Sequence, residues 1–202
     1  MTLSDNKRQA VDKLLIEIAS VFDAEGRPGG NVAAARLRDA ANRPFSTAEA
    51  QEYPRGLLQR ACALDTAVDW AGLVLETAPC LHWENWQGSG LSDNVSSSLY
   101  TTELLGPDGH IRDDEVRVGL LVSEAHTDYP LSRHSGEETY FAIAGEAEWV
   151  LGKAPYRRVP PGSMIHHPAW EMHGRRTLDE PFLGAWRWSG DLDLKSFEIA
   201  PA

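Results

Sequence analysis

Apolar residues in the first third of the chain recur at helical spacing. Between residues 7 and 22, Val11, Leu14, Leu15, Ile18 and Phe22 share one face while Asp and Lys hold the other, which predicts an amphipathic helix. The run Gly26-Arg27-Pro28-Gly29-Gly30 is expected to end that element, since Gly and Pro punctuate local structure. The Ala-rich stretch 32–41 predicts a second, short helix. Ser46-Thr47-Ala48-Glu49 has the form of a capping box, with Ser46 reaching the Glu49 amide. From 57 to 75, Leu57, Leu58, Ala61, Leu64, Val68 and Leu75 make one broad stripe. These faces are expected to pack on one another and on a β-structure.

Near Pro79 the period changes. Residues 80–86, 99–104 and 115–123 are short β-prone runs separated by Gly, Ser, Asp and Pro, and 88–98 reads as a surface loop. After Tyr140 the strands become regular: 139–144, 147–151, 156–159, 175–177 and 182–188, each bounded by turn residues such as Gly145-Glu146, Gly152-Lys153 and Pro160-Pro161-Gly162. Short strands at this interval predict an antiparallel barrel or sandwich. The expected organisation is a helical region over 1–78 packed on the outside of a β-barrel over 79–202.

Composition narrows the class. The chain has 202 residues, 42% of them hydrophobic, as in ordinary globular domains. It has neither an apolar run long enough to span a membrane nor the pattern of a signal peptide, so the expected setting is the cytoplasm, as a monomer or homodimer. Cys62 and Cys80 form no metal-type pair and read as buried, reduced thiols. The net charge of -11, with only Arg157-Arg158 and Arg175-Arg176 as basic clusters, argues against nucleic acid. It is compatible with a cationic or zwitterionic small ligand.

Three residues carry the chemistry. His134 and Glu138 lie four apart, and His173 follows the Pro161-Gly162 turn. Imidazole nitrogen and carboxylate oxygen suit one divalent ion such as Zn, Fe, Mn or Ni, and two His with one carboxylate leave coordination positions open for catalysis. Tyr140 stands two residues after Glu138, so on a strand both side chains leave the same face. Ala142 and Ala144 continue that face, where small side chains would leave a cavity; Phe141 and Ile143 point to the opposite, packed side. A phenol beside a dication is made more acidic and can act as a base.

The joint spacing resembles the cupin superfamily over 116–188. His134, Glu138 and Gly145 match its first motif; Pro161-Gly162, Pro168 and His173 match its second. The implied fold is mainly β, a double-stranded β-helix or jelly-roll barrel. One position departs: Ser132 stands where that motif has a further His, and His126, His166 and His167 are the candidates to replace it, none selected by spacing.

Tyr129-Pro130, His134, Glu138, Tyr140 and His173 together resemble more narrowly the cupin-type dimethylsulfoniopropionate (DMSP) lyases. That resemblance implies cleavage to acrylate and dimethyl sulfide by β-elimination, with Tyr140 as the base, Tyr129 at the substrate and a metal in the barrel. It also favours Trp188 as a substrate-binding aromatic, with Trp83 and Trp86 as further candidates, because aromatic faces attract a sulfonium cation. Two other readings fit an open two-His-one-carboxylate site: a different metal-dependent cupin enzyme, dioxygenase or isomerase, and a non-catalytic cupin that binds a small ligand.

Overall fold

The structure, a computed structural model, describes residues 3–41, 43–47, 52–86 and 90–200. The capping box expected over Ser46–Glu49 lies outside the described residues from Ala48 on. Four helices come first: α1 (Asp5–Asp23), α2 (Pro28–Ala40), α3 (Arg55–Cys62) and α4 (Ala71–Thr77). The stripe on α1 is fully buried at Val11, Leu14, Leu15, Ile18 and Phe22, as its period requires.

Two helical expectations need correction. The Pro-Gly-Gly run does not only stop α1; Pro28 opens α2 at its first position, where a missing N–H costs nothing. The stripe over 57–75 is two helices, because residues 63–70 turn away and the Val68 N–H donates to the Ile143 carbonyl at 2.9 Å. Gly29 and Gly30 permit the close seating of α2. A Cβ at Gly29 would strike Ser189, Glu137 and Arg187, and one at Gly30 would strike Glu25.

The strands are β1 (Glu84–Asn85), β2 (Leu99–Gly106), β3 (Ile111–Arg112), β4 (Val116–Ser123), β5 (Asp128–Arg133), β6 (Glu137–Ala144), β7 (Ala147–Leu151), β8 (Arg157–Val159), β9 (Met164–His167), β10 (His173–Thr177), β11 (Phe182–Ser189) and β12 (Glu198–Ile199). They form two sheets, ordered β1-β2-β4-β11-β6-β9 with β3 beside β2, and β12-β5-β10-β7-β8. All pairs are antiparallel except β2 with β3. This is the jelly-roll form of the expected barrel: the two ladders face one another and do not join into a single closed one. Sequence periodicity missed β5, which contains Pro130, and β9. It overextended the first run, of which only Glu84–Asn85 is a strand. The 88–98 stretch is not a plain surface loop, because the one-turn helix α5 (Asp93–Ser96) lies in it and Leu91 and Val95 are buried.

Alternation along the larger sheet divides the core. Val118, Leu120, Val122, Phe141, Ile143, Leu183 and Ala185 pack with the helices. Leu121, Ala142, Trp149, Ile165 and Phe182 close the space between the sheets. Phe141 and Ile143 therefore lie as expected, but Ala144 does not. The ladder with β11 slips between Ala142↔Gly184 and Ala144↔Leu183, and this bulge turns Ala144 toward the helices. Ala142 sits in the apolar floor rather than opening a void. Gly145, with φ +72°, makes the turn out of β6 where a Cβ would collide with the Pro181 carbonyl. Cys80 is buried, Cys62 is half-buried, and both are free thiols. Among the described residues no helix is long and apolar enough to cross a membrane.

Candidate metal centre

Strand register assembles the site. Glu138 on β6 pairs with Trp188 on β11 and with His167 on β9. His173 on β10 pairs with Ser132 on β5, and His134 follows directly after β5. His134, Glu138 and His173 are all buried and offer ligand atoms within 4.8 Å of one another; among the described residues they are the group able to hold a metal ion.

The orientation of each ligand is fixed from behind. His134 Nδ1 lies 2.9 Å from the Gly136 carbonyl, and His173 Nδ1 lies 2.9 Å from the Glu171 carbonyl. A carbonyl only accepts, so each Nδ1 carries a proton, and in the neutral ring Nε2 is then the atom with a free lone pair. Both Nε2 atoms face Glu138 Oε2, at 3.4 and 3.6 Å. The Trp188 indole N–H donates to Glu138 Oε1 at 2.6 Å, and its ring stacks on His134 with centroids 3.8 Å apart. Such outer partners are what orient metal-binding side chains.

The protonation states suit a cation. Burial alone would raise the Glu138 carboxyl, but hydrogen bonds and charge from His134 and His167 reverse this and hold it well below its usual range. Burial, reinforced by His167, pushes His173 down to about 3. The set is thus a carboxylate beside a neutral imidazole, the forms a divalent ion requires. The fit is one of charge, donor chemistry and convergence.

The residues singled out from the sequence line one cavity of about 40 Å³: Tyr129, His134, Glu138, Tyr140, His173 and Trp188. Trp86 is there too, whereas Trp83 is not; it sits in the core beneath the helices and donates its indole N–H to the Ala78 carbonyl. A larger cavity of about 640 Å³ opens beside His82, Glu84 and His110. Among the described residues the group able to hold a metal ion lies at the smaller one. Around the two phenols, burial and the Glu138 charge push Tyr140 well above its usual value and Tyr129 also up, while Arg175 pulls both down.

Of the three spare histidines, the structure brings one to the site. His126 is exposed near Asp179. His166 points outward, its Nδ1 3.0 Å from the Thr139 hydroxyl. His167 is fully buried, with Nδ1 3.2 Å from Glu138 Oε2 and its ring parallel to His173 at 4.1 Å. Arg175 was missed: the sequence showed only a basic pair, but strand alternation sends Arg175 into the cavity and leaves Arg176 outside on Glu148.

Comparison with known proteins agrees with this geometry. The DMSP lyase family model matches residues 34–184. DMSP lyase DddQ of Ruegeria pomeroyi is 35% identical over 108 residues, 54% of either chain, so the match spans about half the length of that relative. Two sets of solved structures share the fold. One reports the DMSP lyases RdDddP and RnDddQII, with a TM-score of 0.71 and 24% identity over 96% of this chain and 100% of that one. The other is DMSP lyase DddQ from Ruegeria pomeroyi DSS-3, with a TM-score of 0.73 and 23% identity over 98% of each chain. With a family model that matches three-quarters of its length, including α3, α4 and the strands from β1 to β10, the chain belongs to the DMSP lyase family.

Proposed function

We propose that this chain cleaves DMSP to acrylate and dimethyl sulfide by β-elimination. The observation that carries the reading is one small cavity holding two half-buried tyrosines, a metal-competent triad and an aromatic wall, in a chain of this family. Tyr140, as phenolate, takes the proton from the carbon beside the substrate carboxylate. The released pair forms the carbon–carbon double bond, and the C–S bond breaks with its electrons leaving on sulfur as neutral dimethyl sulfide. Tyr129 contacts the substrate from β5. Trp86, Trp188 and Phe197 supply π-faces to the sulfonium.

The energetic difficulty lies in forming the phenolate, since burial opposes it. Arg175 is the chain's own cation acting in its favour. One divalent ion, Zn, Fe, Mn or Ni, held by His134, Glu138 and His173 would supply further positive charge favouring the phenolate and the enediolate character of the transition state. The test is incubation of the metal-loaded protein with DMSP, followed by headspace detection of dimethyl sulfide and quantification of acrylate. Equal yields of the two products are expected. Protein that retains metal yet releases no dimethyl sulfide would sink the reading, and an oxygen-dependent oxidised product would replace it with an oxygenase.

A further inference from the structure

Three buried arginines can be compared. Arg187 is paired with Glu25 and Glu137 and donates to Ser189. Arg117 is paired with Glu103 and Asp108. Arg175 is only 3% exposed, and among the described residues no carboxylate lies within ion-pairing distance. Among those residues its Nε and Nη2 also have no hydrogen-bond partner. A guanidinium stays charged in proteins, and burying it without a counter-ion is costly unless something else meets the charge.

Part of the charge is met by aromatic rings. Arg175 Cζ lies 5.0 Å from the Phe182 ring centroid, 5.4 Å from Trp149 and 5.8 Å from Tyr129. π-Faces offset positive charge but do not satisfy N–H donors, which need an oxygen acceptor. Its backbone lies in β10, opposite Tyr129 on one side and Trp149 on the other. It lines the same cavity as Tyr140 and Glu138, two residues from His173 on the same strand face.

We infer that Arg175 is the anion anchor of this cavity, holding the carboxylate of a small monocarboxylate ligand on its unpartnered N–H groups. The guanidinium fork matches a carboxylate in shape and donor spacing, and a cavity of about 40 Å³ admits only a small one. The ligand's carboxylate completes the charge balance of the buried arginine. For DMSP this directs the carboxylate to Arg175 and leaves the sulfonium for the remaining aromatic wall. That last step alone rests on the lyase reading; the anchor itself does not.

The experiment titrates metal-loaded protein with propionate and with its neutral isostere propionamide, following heat or tryptophan fluorescence. Propionate is expected to bind at least about tenfold more tightly than propionamide, and Arg175→Met and Arg175→Gln are expected to weaken propionate by about tenfold or more with metal content unchanged. In wild-type protein carrying 15N-labelled arginine, the Arg175 Nε–H resonance should shift with propionate and not with propionamide, a readout that needs no variant to fold. Propionate affinity unchanged in the folded variants, or an Arg175 resonance indifferent to propionate, overturns the assignment; carboxylate binding to the metal alone would give that result. Failure of dimethyl sulfide release with Arg175-dependent propionate binding intact would remove the lyase reading and leave the anchor standing.

Discussion

The contact between the helical layer and the site-bearing strands can be broken at one point. Glu25, in the turn after α1, accepts two hydrogen bonds from Arg187 on β11, at 2.7 Å from Nε and 2.5 Å from Nη2. It also accepts from the Thr139 hydroxyl on β6 at 2.7 Å. Arg187 is completely buried and the Glu25 side chain is 3% exposed. Removing one partner of such a pair strands a buried charge, at a cost of about 3–5 kcal/mol. Glu137 remains 3.1 Å from Arg187 but is a third exposed, so it recovers only part of that. Glu25→Gln, which keeps the size and one acceptor, should therefore cost about 3 kcal/mol. At roughly 2–4 °C per kcal/mol for a chain this long, the midpoint of thermal unfolding should fall by about 6–12 °C. Circular dichroism measures it, and the loss should be largely insensitive to salt because the pair is not screened by solvent. The paired change Glu25→Leu with Arg187→Met should be less harmful than Glu25→Gln alone, since no charge is left behind. A fall of less than about 2 °C in Glu25→Gln would mean that Glu137 or solvent fully replaces the lost partner, and the reasoning would fail.

Three further outcomes test the site and its surroundings. His167→Ala should weaken metal retention by about 10–100-fold, as loss of an orienting partner does, whereas His166→Asn, on the outer face of β9, should leave it unchanged; metal titration with elemental analysis distinguishes them. Tyr140→Phe should keep the metal and lose about 10²–10⁴-fold in turnover, and near-wild-type release of dimethyl sulfide would move the base to Tyr129. Burial lowers His110, whose Nε2 accepts the His82 backbone N–H at 2.9 Å. A group with a depressed folded pKa binds fewer protons when folded, so its contribution is present above about pH 6.5 and lost as pH falls below it. His166 and His173, also lowered mainly by burial, act with the same sign, so denaturant titrations of His110→Gln from pH 7 to 5 should show a shallower loss of stability than wild type rather than none.

What the sequence disclosed and what it withheld divide along a physical line. The α1 stripe and the positions of His134, Glu138 and His173 depend on spacing within one stretch of chain or one motif, and spacing is visible in a sequence. β5 carries Pro130 and a bulge in its ladder with β10, so its alternation is disturbed and it was not read as a strand. Whether one helix or two covers 57–75 depends on Val68 finding a carbonyl on β6, a partner far away in sequence. The same holds for the choice between His166 and His167. They are chain neighbours with identical chemistry, and only the register Glu138↔His167 selects the second.

That register also bears on the absence of a histidine at 132. Ser132 is fully buried and pairs with His173, so the position shares that histidine's sheet face, but a hydroxyl there brings no imidazole. The third imidazole comes instead from β9, on the opposite sheet, and it reaches Glu138 rather than joining the ligand group. A missing ligand need not be replaced where it was lost. The carboxylate that remains can be held harder, here by the Trp188 indole on one oxygen and His167 on the other. Charge compensation follows the same logic on β10, where Arg175 stands two residues beyond His173 and, among the described residues, has no carboxylate at ion-pairing distance. A cavity whose walls give Glu138 a partner on each oxygen and leave Arg175 Nε and Nη2 without an acceptor is complementary to a ligand that brings one negative charge to the arginine.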